Sequence, residues 1–251
     1  MYDAIIVGAG PAGSSAAIHC NKLGLKTLIL EKSKFPRDKI CGDALSGKSV
    51  KFLDDLNLLE GLDKIDGAVI KRIIFGNPNH SECELHLNKS LNKKHINHGY
   101  VIPRKTFDNY LFNHASSVSD TETGFQVLDL LYEKNNVIGV KGSFDNGEEK
   151  EFFANVIIGA DGPYSIVARK TGCYNADDKY TAVGLRCYYE NIGGLTDQIE
   201  LHYVGETIPG YFWIFPIGNN KANIGVGLLK SRANKKYEDF EIAFQFVEIL
   251  Y

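Results

Sequence analysis

From its first residues the chain alternates short apolar runs with amphipathic ones. Ala4-Ile5-Ile6-Val7 is apolar and β-branched, which predicts a fully buried strand. A helix-forming run from Ser14 to Leu23 follows and stops at Gly24, the residue type favoured just past a helix end. A second apolar strand, Thr27 to Leu30, delivers Glu31, so the opening reads as a βαβ unit. Residues 46–59 predict a helix with Val50, Leu53, Leu56 and Leu59 on one face. A strand is expected over 68–75, a polar hairpin or long loop over 80–97, and a helix over 105–118 with Phe107, Leu111 and Ala115 inward. From Gly124 the period becomes that of strands: 125–133, 137–144 and 151–158, with Asp145-Asn146-Gly147 as a hairpin turn. Ile157 to Gly162 reads as a buried strand ending in a glycine-flanked acid. Four more strands, 181–190, 197–204, 210–216 and 221–229, suit an antiparallel sheet. A last helix over 236–251 would turn Phe240, Ala243, Phe244 and Val247 inward.

The pattern predicts a mixed α/β (α+β) protein. A Rossmann-like βαβ domain with a hairpin insertion spans 1–175, an antiparallel-sheet domain spans 176–235, and a helix begins at 236. A length of 251 residues is enough for a substantial core, and 44% hydrophobic with 24% charged residues is ordinary globular composition. The net charge of -3 gives no reason to expect nucleic acid as a partner. No apolar run approaches the roughly 20 residues of a membrane span, and the N-terminus reads as the first strand of the fold. Five scattered cysteines without a C-x-x-C pair read as reduced thiols in a cytoplasm, not as a disulfide frame or metal site. The histidines are dispersed, with His95 and His98 expected at the surface, and no Ser-His-acid set or paired-carboxylate site is evident.

The turn of the βαβ unit carries chemistry. Gly8-Ala9-Gly10-Pro11-Ala12-Gly13 is G-x-G-x-x-G at the end of a strand, with an acid eighteen residues after the last glycine. Gly8 permits the tight turn, Gly10 lets backbone approach a pyrophosphate, and Gly13 lets helix and strand pack closely. The N-terminus of the helix that follows offers N–H groups and a positive dipole end to phosphates. Glu31 would accept hydrogen bonds from ribose hydroxyls and repel a 2′-phosphate, so the ligand is FAD or NAD rather than NADP. The alternative, a glycine-rich turn that binds nothing, fits poorly with strand, helix, stop and acid all in register.

Three separated motifs together resemble the FAD-dependent hydroxylase and reductase superfamily that includes para-hydroxybenzoate hydroxylase. They are the opening fingerprint with Glu31, Arg104-x-x-Phe107-Asp108-x-x-Leu111, and Gly159-Ala160-Asp161-Gly162-x-x-Ser165-x-x-x-Arg169. The resemblance implies that Arg104 approaches the flavin nucleotide and that Asp161 with Gly162 helps hold the pyrophosphate region. On the residues alone, Arg104 also fits a solvated helix start, and Asp161 a turn acid or N-cap. Two further stretches look like the geranylgeranyl reductase family: Phe35-Pro-Arg37-Asp-Lys39-Ile-Cys41-Gly42-Asp43-Ala44-Leu45-Ser46, and Pro209-Gly-Tyr211-Phe-Trp213-Ile-Phe215-Pro216 followed by Asn223-Ile-Gly225-Val-Gly227. The resemblance implies FAD as cofactor, NAD(P)H or another donor as transient reductant, and hydride transfer to isoprenoid C=C bonds. The cofactor set it implies is Gly8, Gly10, Pro11, Ala12, Gly13, Glu31, Lys32, Arg37, Cys41, Gly42, Arg104, Val127, Asp161 and Gly162.

Tyr211, Trp213 and Phe215 alternate along one strand and would form an apolar pocket wall beside a glycine-rich strand, although such stripes also simply fill cores. Cys41 and Asp43 lie in the loop expected near the flavin ring and are the other pocket candidates; Cys41 fits a buried, inert thiol equally. The implied partner is a prenyl lipid or other apolar small molecule, with peripheral membrane contact and a cytoplasmic location. Family members also carry a later Gly-Asp-Ala-Ala type motif that nothing after Asp161 matches, so the chain reads as a fragment of a longer reductase. A monooxygenase or halogenase on the same fold, and a flavin-fold remnant without turnover, are the alternative functions.

Overall fold

A computed structural model describes residues 1–79, 81–87, 97–205 and 207–233. The elements begin with β1 (Tyr2–Val7), α1 (Pro11–Lys22), β2 (Thr27–Glu31), β3 (Ala44–Leu45), α2 (Gly47–Asp55) and α3 (Leu59–Leu62). They continue with β4 (Ala68–Ile70), β5 (Arg72–Gly76), β6 (Glu82–His86), β7 (Gly99–Val101), α4 (Arg104–Ser116) and β8 (Asp120–Thr123). Next come β9 (Phe125–Glu133), β10 (Asn136–Phe144), β11 (Glu149–Gly159) and α5 (Ile166–Lys170). The last are β12 (Ala182–Glu190), β13 (Gln198–His202), β14 (Tyr211–Gly218), β15 (Lys221–Leu229) and α6 (Lys230–Ala233). The helix expected over 236–251 and most of the loop at 80–97 lie outside the described residues.

The chain forms two compact units: Met1–Arg37 with Lys105–Asn175, and Asp38–Arg104 with the chain from Ala176 onward. This differs from a single cut near residue 175. Segment 38–104 leaves the first unit because β5 pairs in parallel with β13, Ile73 opposite Ile199 and Phe75 opposite Leu201.

In the first unit the sheet order is β8-β2-β1-β11-β10-β9. β8, β2, β1 and β11 are parallel, and the β9–β10–β11 meander is antiparallel. Alternation sorts its core: Ile5, Val7, Leu28 and Leu30 pack with Phe125, Val127, Leu130, Val140, Phe152 and Ala154. β8 escapes the sequence pattern because Asp120-Thr-Glu-Thr123 is a short polar edge strand, held in place by its pairing with β2.

In the second unit the sheet order is β12-β15-β14-β13-β5-β6, with a small sheet β3-β7-β4. It is antiparallel apart from β13 beside β5. The strand expected over 68–75 divides at Lys71, whose N–H and that of Arg72 both turn to the Asp197 carbonyl. The helix expected over 46–59 divides at Asn57, which sits at φ 60 and cannot continue it. Phe212, Ile214, Ala222, Ile224, Val226 and Leu228 pack on one face of the sheet. Trp213 and Phe215 pack with Ile70 and Val101 on the other.

Candidate functional site

The first unit builds a phosphate cradle at the exit of β1. Gly8 has φ +97, and a Cβ there would lie 2.5 Å from the Ala160 carbonyl oxygen. A Cβ on Gly13 would lie 1.8 Å from the Gly8 carbonyl oxygen. Both glycines are therefore demanded by backbone that crosses at contact distance. Gly10 differs: among the described residues beyond its chain neighbours, the only one within 4 Å of a Cβ there is Arg37, whose guanidinium lies at 3.6 Å. It leaves an open approach to backbone beside a fixed cation. Gly10 also N-caps α1 without a side-chain bond, Pro11 takes the first helical position, and the first turn holds no acid. The positive end of a twelve-residue helix is thus left for an anion. Pro11 is half-buried and Ala12 exposed.

Glu31 closes β2 at 6% exposure. Its Oε2 accepts from the Ala9 N–H at 2.8 Å and its Oε1 from the Ser33 N–H at 2.9 Å. The carboxylate is therefore held at both oxygens against the glycine turn. Lys32 beside it is exposed.

Arg37 owes its place to α4. Its Nη1 donates at 2.7 Å to Asp108 Oδ2, and the Asp108 side chain is fully buried while that of Arg37 is 18% exposed. The guanidinium also lies 4.9 Å over the Phe35 ring, and Phe35 stacks on Phe112 with centroids 4.2 Å apart. Asp108 and Phe112 stand one turn apart on α4 and so hold the 35–37 loop from beneath. Sequence reasoning quoted Asp108 inside a motif but gave it no role; its signal was a carboxylate on the buried side of an amphipathic helix.

Of the two readings open for the second acid motif, the structure shows the cap. Asp161 Oδ1 accepts from the Ser165 hydroxyl at 2.5 Å and Oδ2 from the Ile166 N–H at 2.6 Å, so the carboxylate caps α5. What touches the cradle is backbone, Ala160 and Asp161 against Gly8. Gly162 makes the turn at φ +84. The Val127 side chain is 8% exposed and packs in the first unit's core, so only its backbone is left to meet a ligand.

The second unit carries the aromatic row. Along β14, Tyr211, Trp213 and Phe215 share a face, with ring centroids 6.2 and 6.1 Å apart in succession. The expectation that neighbouring glycines leave room for a ligand is corrected: the indole fills that room. A Cβ on Gly225 would lie 2.3 Å from the Trp213 ring, and Cβ atoms on Gly227 and Gly184 would lie 3.7 and 3.8 Å from it. Trp213 and Phe215 are accordingly 8% and 7% exposed, and Tyr211 is 38% exposed. The loop from Asp38 to Asp43 lies against this row. A Cβ on Gly42 would meet the Phe215 ring at 2.9 Å.

Asp43 is corrected from a pocket contact to a buried anchor. It is 1% exposed, at φ 69, and its Oδ2 accepts from the Tyr188 hydroxyl and from Asn223 Nδ2, both at 2.7 Å. Its Oδ1 accepts from the N–H of Arg104, the first residue of α4, at 3.3 Å. Burial raises the Asp43 pKa above the ordinary carboxylate range, against the pull of Asn223, Tyr188, the Arg104 N–H and the charge of Arg186. Burial also raises the Tyr188 pKa, helped by its bond to Asp43. Cys41 is half-buried, and its carbonyl accepts from Asn223 Nδ2 at 2.7 Å. Tyr188 and Arg186 were absent from the sequence reading and Asn223 was quoted there without a role, since an alternate polar residue on a strand carries no local signature.

Residues 1–237 match the family described as FAD binding domain. Digeranylgeranylglycerophospholipid reductase 2 of Methanococcoides burtonii is 32% identical over 98% of this chain and 59% of that protein. A geranylgeranyl bacteriochlorophyll reductase-like protein from Thermoplasma acidophilum superposes with a TM-score of 0.84 at 27% identity, over 99% of this chain and 62% of that one. A myxobacterial chondrochloren halogenase, a variant of FAD-dependent halogenases, shares the fold at 21% identity and a TM-score of 0.84, over 98% of this chain and 57% of that one. The chain spans about 60% of the length of the curated relatives it matches. Among the described residues no helix is long and apolar enough to cross a membrane. The relatives named as reductases bear out the resemblance read from Phe35–Ser46 and Pro209–Gly227, and with residues 1–237 matched the chain belongs to the FAD-binding domain family.

Proposed function

We propose that the whole protein is a FAD-dependent reductase that saturates isoprenoid C=C bonds of a prenyl lipid. The observation that supports this most is the Tyr211–Trp213–Phe215 row, set on a glycine floor and backed by the Cys41–Gly42 turn. In the first unit, the backbone of Gly8 to Gly13 with Pro11 and Ala12 would face the pyrophosphate. Arg37 would neutralise its charge, and Glu31 would receive the ribose hydroxyls. Lys32, Cys41, Gly42, Arg104, Asp161 and Gly162 join the cofactor set on the resemblance. Reduced FAD, when bound, supplies the hydride for the double bond.

The chain's own task is to orient a flexible apolar molecule and exclude water. Trp213 and Phe215 form a rigid base, and the partly exposed ring of Tyr211 is the surface on which an isoprenoid can stack. The reductant is NAD(P)H or another donor acting transiently. Ile40, 67% exposed beside Lys39, suits peripheral contact with the membrane that holds such a lipid, on its cytoplasmic side. The test uses Trp213, the one tryptophan in the chain. A geranylgeranyl lipid in detergent micelles should change its emission saturably, and lipid-free micelles or a soluble aromatic acid should not. Saturable binding of the aromatic acid with no response to the lipid would favour a monooxygenase or halogenase.

A further inference from the structure

The segment Asp38–Asp43 is tied to the second unit's large sheet at three points. Arg186 Nη2 donates to Asp38 Oδ2 at 2.5 Å, Asn223 holds the Cys41 carbonyl, and Tyr188 with Asn223 holds the Asp43 carboxylate. The three side chains stand on one face of adjacent strands, since Arg186 pairs with Gly225 and Tyr188 with Asn223 across β12 and β15. The Arg186 guanidinium lies 4.0 Å over the Tyr188 ring, which braces the first and last ties against each other. Asn223 is the centre. It is 0% exposed, its Nδ2 serves both Cys41 and Asp43, and its Oδ1 accepts from the Trp213 indole N–H at 2.9 Å. One amide therefore fixes the Cys41 backbone and the Trp213 ring in a single register.

We infer that Asn223, braced by Tyr188, is a positioning residue that holds the Cys41–Gly42 strap against the Trp213 indole and so sets the shape of the apolar site. The bonded amide explains a buried Asn beside the glycines and the Trp213 ring, because an unfilled donor or acceptor there would be costly. The link from this strap to prenyl-lipid recognition rests on the function proposed above; the strap itself does not.

The test reads the strap without any lipid. Alkylation of Cys41 by iodoacetamide is followed by mass spectrometry of its peptide, with the Cys20 peptide of the other unit as internal reference, in the full chain. Asn223→Ala should speed Cys41 alkylation about tenfold relative to Cys20 and shift Trp213 emission to the red, since local opening follows the lost hydrogen bonds. Tyr188→Phe removes one hydroxyl from a partly exposed edge-strand residue and keeps the test valid if the alanine variant does not fold. It should speed Cys41 alkylation by a smaller factor, roughly threefold, and leave Cys20 unchanged. Unchanged Cys41 rates in Tyr188→Phe, or equal acceleration of Cys41 and Cys20, would overturn the positioning role. Wild-type protein that ignores a geranylgeranyl lipid while the strap variants behave as expected would instead overturn the prenyl reading alone.

Discussion

Arg37 and Asp108, 71 residues apart in sequence, meet at 2.7 Å, and that bond places a cation beside the glycine on which a pyrophosphate would lie. A guanidinium bound to a carboxylate and stacked on Phe35 is poorly replaced by an ammonium. Arg37→Lys is expected to weaken ADP and FAD binding about tenfold, about 1.4 kcal/mol, with little change in the melting curve. Asp108→Ala should instead cost about 3–5 kcal/mol of stability, because it strips a partner from a largely buried charge. Calorimetric titration with ADP and thermal unfolding of both variants separate the two effects; equal ADP affinities would remove Arg37 from the site.

Glu31 is held by the N–H groups of Ala9 and Ser33, so its loss should be felt by the fold as well as by the ligand. Glu31→Ala is expected to lower stability by about 1–3 kcal/mol, the cost of leaving a buried N–H unpaired, and to lower FAD affinity about tenfold. Urea unfolding and FAD titration check this. A variant with wild-type stability and wild-type affinity would contradict it.

Trp213→Ala would open a void above Gly225 and remove the donor that Asn223 Oδ1 accepts from. A destabilisation of about 3–5 kcal/mol is expected from large-to-small replacement of a buried aromatic. Tyr211→Leu, at the exposed end of the row, should leave stability nearly unchanged and weaken lipid binding. Chemical denaturation of both and micelle titration of the second test this. Equal stability losses would mean that the row is core along its whole length.

Asp43 gives a pH dependence with a definite sign. Its folded-state pKa is raised, chiefly by burial, so folding favours the protonated form. That contribution is whole below the ordinary carboxylate value of about 4 and is lost as pH rises through the raised one. Measured against Asp43→Asn, wild-type stability should therefore fall as pH climbs from about 4 towards neutrality. Urea unfolding of both proteins across the range is the check, and a difference that grows with pH would contradict it.

The βαβ opening was legible because its signals are local: a β-branched run, glycines at fixed spacing, a helix stop and an acid on the next strand. The aromatic row was legible as alternation, but its burial was not, since which residue covers Gly225 depends on packing across strands. The assignment of 38–104 to the second unit was hidden for the same reason: β5 pairs with β13, more than a hundred residues away. Arg186, Tyr188 and Asn223 could not be read as ties to the Asp38–Asp43 loop, because each bond spans far more sequence than any motif. Asp161 could be read either as a cofactor residue or as a cap, and only the geometry of Ser165 and Ile166 shows the carboxylate capping α5.

The most direct test of the central claim is anaerobic. The protein is loaded with FAD, reduced with dithionite, freed of excess reductant and mixed with a geranylgeranyl lipid. The expected result is flavin reoxidation in step with saturation of the lipid, each reduced double bond gaining one hydride and one proton by mass spectrometry. Flavin that stays reduced with the lipid, yet forms a hydroxylated or halogenated product from an aromatic substrate once oxygen is admitted, would contradict the reductase account.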